Sequence, residues 1–236
     1  MQVLINSGFS HARLPLGSSG YGELLTFFAP WTISGKPSGF WLGVLGLVTY
    51  LYGAIPFAYL ATFLFGRMNL AEEGTGNIGV INAFRTGGVP AVILTLLGEV
   101  SKALVAVGLA ELFFPGWDAA KLLAVFAAFA GTNFSVFMRG RGGRGSTMLM
   151  WSIALVSLYS FLILVAIISV CFLLGRVHFR LKSLWFWAIA PTLYLVEKEL
   201  AFLIFGILVT AIIYLKGRYS IDDFVYHGYL REKLSL

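Results

Sequence analysis

The chain has 236 residues, 58% of them hydrophobic and 12% charged, with a formal net charge of +6 and a mean hydropathy of +0.86. Soluble domains carry roughly 45–50% apolar and about 25% charged residues, so these numbers exclude a water-soluble domain, and they exclude intrinsic disorder, which requires low hydrophobicity. The single cysteine, Cys171, excludes a disulfide scaffold and sits in an apolar run where it packs as a small hydrophobe. So apolar a chain offers no broad solvated face for its Lys and Arg, which argues against nucleic acid and for anionic lipid or a phosphorylated substrate.

In chain order, residues 1–39 read as an N-terminal extension of mixed polar and aromatic character suited to the membrane interface. The charge-free run 37–66 begins too late and is too long for a signal peptide, and exceeds the roughly 20 residues that cross a hydrocarbon core. A polar stretch, 67–88, follows, and apolar segments then recur at 89–114, 122–138, 146–174, 183–196 and 200–215. At these lengths only helices satisfy their backbone in lipid, so the fold class expected is an all-α integral membrane protein, a polytopic helix bundle. As one helix, 146–174 would extend about 43 Å, beyond the roughly 30 Å core, so it is either one tilted span or two short helices turning near 157–160. Five or seven transmembrane helices remain possible.

Lys and Arg accumulate on the cytoplasmic side. Seven spans place Arg67 with Arg85, then Arg139, Arg141 and Arg144, then Arg176, Arg180 and Lys182, and finally Lys216, Arg218, Arg231 and Lys233 on that side. The N-terminus then lies outside, together with Glu197, Lys198 and Glu199, whereas five spans put the Arg176 loop outside, against the rule. Residues 40–218 form the membrane domain on this reading and 219–236 a cytoplasmic tail. No repeat of 20–50 residues is visible.

Three features could carry chemistry. The first is Gly74-Thr75-Gly76-Asn77-Ile78-Gly79-Val80-Ile81-Asn82-Ala83-Phe84-Arg85-Thr86-Gly87-Gly88, read as a loop. Its glycines let backbone N–H groups approach an anion, Thr75, Asn77 and Asn82 add neutral donors, and Arg85 can bind phosphate bidentately. A flexible interhelical turn is the alternative. The second is Arg139-Gly140-Arg141-Gly142-Gly143-Arg144-Gly145-Ser146-Thr147, three cations among four glycines immediately before a helix. Positive side chains, free N–H groups and a helix N-terminus all favour an anion there, although a positive-inside anchor on lipid headgroups would look the same. It lacks the Gly-Lys-Ser/Thr ending of a Walker A loop. The third is Glu99 with Lys102 inside an apolar segment. At i, i+3 the two can pair, and an intramembrane ion pair is either a functional site or a device that fixes helix packing.

His11, His178 and His227 lie far apart and support neither a metal site nor a Ser-His-Asp triad. Trp41, Trp117, Trp185 and Trp187 stand near segment ends, as interfacial anchors do.

Taken in this order, the motifs resemble the bacterial acyl-phosphate:glycerol-3-phosphate acyltransferases, the PlsY family. That family has a Gly-Ser-Ile-Pro-Phe-Gly run where Gly53-Ala54-Ile55-Pro56-Phe57-Ala58 stands here, followed by Gly-Ser-Gly-Asn-x-Gly-x-x-Asn-x-x-Arg, which is similar to the stretch from Gly74 to Arg85. Its Asp-x-x-Lys corresponds to Glu99-Val100-Ser101-Lys102, and its Gly-Gly-Lys-Gly to Gly142-Gly143-Arg144-Gly145. The resemblance implies a seven-helix enzyme of the bacterial plasma membrane that moves an acyl chain from acyl phosphate to the 1-hydroxyl of glycerol 3-phosphate at the cytoplasmic face, with no metal or organic cofactor. It assigns catalytic roles to Thr75, Arg85 and Lys102, with Glu99 in support. Phosphate binding falls to Gly74, Gly76, Asn77, Gly79 and Asn82, and to Arg141, Gly142, Gly143, Arg144, Gly145 and Ser146.

The chain departs from the family at several of these positions. Thr75 replaces a Ser, Arg141 and Arg144 replace lysines, Glu99 replaces an Asp, and Thr132 replaces the His of a Gly-His pair. The family's His-Arg-x-Asn-Ile aligns with Gly217-Arg218-Tyr219-Ser220-Ile221, without its His and Asn. A non-catalytic or altered-acceptor relative that binds lipid or acyl phosphate is therefore a second reading. An anion transporter is a third, to which the lack of internal repeats gives little support.

Overall fold

A computed structural model describes residues 39–73, 76–174 and 179–219, with the backbone alone for 179–183 and 217–219. Every regular element among them is helical: α1 (Gly39–Gly53), α2 (Phe57–Gly66), α3 (Val80–Phe113), α4 (Asp118–Asn133), a 3-10 turn (Val136–Met138), α5 (Ser146–Val156), α6 (Leu158–Leu174), a 3-10 segment (Phe179–Ala188), α7 (Ile189–Glu197) and α8 (Leu200–Tyr219). The stretches Gly39–Gly66, Val80–Phe113 and Asp118–Met138 are long and apolar enough to cross a membrane, and four shorter apolar helices accompany them. Large apolar side chains such as Phe63, Leu97, Leu162 and Leu195 stay exposed on the outside, as a lipid solvent permits.

Local chemistry sets the breaks. Pro56 has no N–H to donate and restricts Ile55, so the charge-free run divides into α1 and α2. The apolar run 146–174 is two helices that part at Ser157 (φ −148°, ψ 91°), the second of the two arrangements its length allowed. Ser157 acts as the cap of α6: its Oγ accepts the Ser160 N–H at 3.4 Å, and its hydroxyl is also hydrogen-bonded to Ser160 Oγ and Glu197 Oε1.

Two expectations need correction. Residues 80–87, read above as the second half of a loop, form the first turns of α3, which starts at Gly79 because nothing from Val80 to Thr86 opposes a helix. The break comes at Gly88 (φ 69°, ψ −163°), a conformation open to glycine, and Pro90 lies in the first turn of the resumed helix, where no N–H is needed. The expected helix 183–196 is α-helical only from Ile189, with Pro191 in its first turn, and the preceding residues wind as a 3-10 segment.

Small residues bring the helices together. A Cβ on Gly53 would lie 2.2 Å from Ala128 O, and one on Gly131 would lie 2.2 Å from Tyr50 O, so α1 and α4 meet backbone to backbone. Thr132 Oγ1 donates to Gly53 O at 3.0 Å and Tyr50 Oη to Phe134 O at 2.8 Å, which fixes the register of the pair. Gly206 places α8 against Ala190 of α7 in the same way. The core enclosed by α4 to α8 is built on Phe129, Met148, Leu149, Leu164, Leu193 and Phe202.

Gly131→Leu is expected to destabilise the protein by at least the roughly 1–3 kcal/mol of an overpacked core. Gly108→Leu, at a position with open space around it, should leave the thermal unfolding midpoint in detergent nearly unchanged.

Candidate functional site

The site begins with the charges buried on α3. Lys102 Nζ lies 2.7 Å from Glu99 Oε1, and the two side chains are 2% and 10% exposed. An ammonium this deep is tolerated only because a carboxylate one turn away neutralises it. Lys102 also stands 5.5 Å over the Phe57 ring. That ring fits because residue 98 is glycine: a Cβ there would lie 2.2 Å from Phe57 Cγ. A 3.0 Å hydrogen bond between the Tyr52 and Ser101 hydroxyls ties α1 to the same turn of α3.

The Arg/Gly loop forms the opposite wall. A Cβ on Gly142 would lie 2.2 Å from Thr132 O, and one on Gly143 would lie 2.2 Å from Ile78 O. The loop thus rests directly on the end of α4 and on residues 77–79, and joins two motifs that stand some 60 positions apart in the sequence. Gly145 (φ 66°) turns the chain into α5, whose N-terminal N–H groups begin at Ser146.

Between these walls lies a cavity of about 120 Å³ lined by Asn77, Gly79, Glu99, Thr132, Arg144 and Ser146, among others. A smaller recess of about 10 Å³ shares Glu99 and Thr132 with it and adds Phe57, Lys102, Gly142 and Gly143. The surroundings are two cations, one carboxylate, close-lying glycine backbone and a helix N-terminus, a combination that favours an anion.

The other candidates are placed as follows. Gly74 and Thr75 lie outside the described residues. Gly76 (φ 68°) makes the turn before residue 77, its N–H bonded to Glu73 O at 3.0 Å. Asn82 is buried, and its Nδ2 donates to Leu70 O, Glu73 O and Asn77 O, so it knits the first loop together and does not line the cavity. Arg85 is exposed one turn further along α3, away from both cavity and recess. Arg141 lines a separate cleft of about 360 Å³ with Arg139, Glu72, Asn69 and Tyr59.

Sequence reasoning passed over Asn133 and Ser135, which build the site, and took Thr132 only as the replacement of a family His. Thr132 and Asn133 end α4 beneath the Arg/Gly loop, and Ser135 donates its hydroxyl to Ala54 O. Two polar residues closing an apolar helix were the available signal. Lys216, taken above only as a topological marker, donates from Nζ to Asn133 O at 2.8 Å and lies 5.3 Å over the Phe134 ring.

Glu99→Gln leaves Lys102 buried without its counter-charge and is expected to cost roughly 3–5 kcal/mol of stability. The double variant Glu99→Gln with Lys102→Met should recover part of that loss, as read from unfolding of the three proteins in detergent.

The sequence profile of the family described as glycerol-3-phosphate acyltransferase matches residues 43–226. A glycerol-3-phosphate acyltransferase of Dinoroseobacter shibae is 46% identical over 104 residues, which are 44% of this chain and 50% of that protein. One from a Jannaschia species is 44% identical over 110 residues, 47% of this chain and 53% of that protein. In these alignments the chain spans about half the length of the curated relatives it matches. Among solved structures, PlsY (YgiH), an integral membrane glycerol 3-phosphate acyltransferase, is similar in fold in its glycerol 3-phosphate form: the TM-score is 0.67 at 22% identity, over 75% of this chain and 88% of that one. Its lysophosphatidic acid form gives 0.60 at 20% identity. With more than three quarters of its length matched by the profile, this chain belongs to the glycerol-3-phosphate acyltransferase family.

Proposed function

We propose that the protein is a membrane acyltransferase that moves a fatty acyl group from acyl phosphate to the 1-hydroxyl of glycerol 3-phosphate, giving lysophosphatidic acid for phospholipid biosynthesis. The observation that carries this reading is the convergence of Arg144, Gly145 and the N-terminus of α5 on one cavity, and of Lys102, Gly142 and Gly143 on the recess that shares Glu99 and Thr132 with it. The names of the relatives support it.

In the reaction, the glycerol oxygen forms a bond to the acyl carbon, the bond from that carbon to the phosphate oxygen breaks, and inorganic phosphate departs with the electron pair. The hydroxyl proton passes to a phosphate oxygen. A carboxylic-phosphoric mixed anhydride is already activated, so orientation and charge neutralisation supply the catalysis. Lys102 and Arg144 counter the charge that builds on the leaving phosphate, and the glycine N–H groups and Ser146 hold its remaining oxygens. The family resemblance gives Thr75 and Arg85 catalytic roles and Arg141 a phosphate, with Arg85 and Arg141 standing outside this cavity, and Gly74, Gly76, Asn77, Gly79 and Asn82 shape the loop beside it. Glu99, 2.7 Å from the Lys102 ammonium, holds it in place.

The same reading places the loops carrying Arg85 and Arg144, and the C-terminal tail 219–236, on the cytoplasmic side of the bacterial plasma membrane. Residues 40–218 cross that membrane seven times, and residues 1–39 lie outside this domain.

The test is lysophosphatidate formation by purified protein in nanodiscs supplied with palmitoyl phosphate and labelled glycerol 3-phosphate. Lys102→Ala and Arg144→Ala are each expected to lose about 10²–10³-fold in turnover, the usual effect of removing one group that stabilises developing charge. Gly143→Ala, which sets a methyl against Ile78 O, should lose activity comparably. A folded wild-type protein that used neither palmitoyl phosphate nor palmitoyl thioester would overturn the reading, and acyl-phosphate binding without turnover would identify a non-catalytic relative. A donor with a non-basic leaving group that turned over at the normal rate would remove the phosphate from its role as proton acceptor.

A further inference from the structure

Helix α8 reaches the site through one side chain. Lys216 closes the apolar stretch Leu200–Lys216, and a lysine at such a place ordinarily lays its stem along the apolar surface and leaves its ammonium among lipid headgroups. Lys216 turns inward. It is half-buried, its Nζ donates to Asn133 O at 2.8 Å, and it lies 5.3 Å over the Phe134 ring.

That carbonyl oxygen is part of the floor of the Arg/Gly loop, only 2.5 Å from where a Cβ on Gly142 would stand. Arg144, in the same loop, is close enough for its charge to act on the Lys216 ammonium. Two cations held together in a partly dehydrated site repel each other, and an anion bound beside them relieves that repulsion.

We propose that Lys216 is a positioning residue of the phosphate site, pinning the Asn133 carbonyl beneath Gly142 and adding a third cation, after Lys102 and Arg144, to the field in which Arg144 holds a phosphoryl group. The acyltransferase reading supplies the identity of that group, but the site itself can be tested without catalysis. Lys216 also gives the C-terminal helix a cation at the site, although the His and Asn of the family's third motif are missing from the following residues.

Inorganic phosphate is the probe. Its binding to the detergent-purified full-length protein is measured by titration calorimetry and by the shift in unfolding midpoint, for wild type, Lys216→Gln, Lys216→Met and Lys216→Arg. Lys216→Gln keeps a donor for the Asn133 carbonyl and removes the charge, Lys216→Met removes both, and Lys216→Arg keeps both. The Gln and Met variants are expected to bind phosphate about tenfold more weakly, with a shallower dependence on ionic strength, and the Arg variant within about twofold of wild type. Phosphate binding by Lys216→Gln equal to wild type would overturn the charge role, as would uncharged variants that lose the fold altogether and so assign Lys216 to the scaffold. A wild-type protein that binds no phosphate at millimolar concentration would overturn the proposal outright. Lys216-dependent phosphate binding by a protein that transfers no acyl group would leave this proposal standing and bring down the acyltransferase reading.

Discussion

An ammonium and a carboxylate have been placed where hydrocarbon would be the natural filling, and much of the local architecture is accounted for by what that pair requires. Lys102 is tolerated because Glu99 lies one turn away and because an aromatic face, Phe57, stands beneath it. Phe57 can stand there only because α1 stops at Gly53, Pro56 restarts the chain as α2, and Gly98 leaves room for the ring. The Arg/Gly loop then closes over the pair, and it can do so because Gly142 and Gly143 carry no side chain. The polar centre and the breaks in the helices are one design: a continuous first helix would leave the charges without a cover.

Much of this was legible in the sequence, and the parts that were not have separate causes. Composition identified the membrane class, and the hydrophobic runs located the helices. The spacing of Glu99 and Lys102 announced their pairing, whereas the length of the run 146–174 left one tilted span and a break near 157–160 both open. The start of α3 was missed because a glycine-rich segment reads as a loop throughout, whereas no glycine falls between Gly79 and Gly87 and the seven residues between them are ordinary helix formers or tolerable ones. The inward turn of Lys216 was missed for a different reason. A lysine at the end of an apolar helix looks the same whether it faces lipid or protein, and only the approach of α4 decides between them.

The cations, grouped by loop in the sequence, are divided differently in space. Lys102, Arg144 and Lys216 come from three separate elements and gather around the end of α4 and the cavity beside it. Arg139 and Arg141 are immediate neighbours of Arg144 in the chain, yet they face another cleft beside Glu72. Gly140 and Gly145, both at positive φ, and Arg139, at φ 53°, let the chain reverse often enough to send adjacent arginines to different places. Substituting lysine for arginine would keep the charge at each position but not the planar fork that binds two phosphate oxygens at once.

Helix α5 has 11 residues, a length of about 16 Å against a hydrocarbon core of about 30 Å. One end meets Arg144 and Ser146, and the other meets the hydrogen-bonded group of Ser157, Ser160 and Glu197. Two polar layers are therefore separated along this helix by little more than half the thickness of an ordinary bilayer, a mismatch that a short helix meets where the lipid beside it thins. An amphiphile with its head at that end of the helix would then keep its chain among the lipid tails.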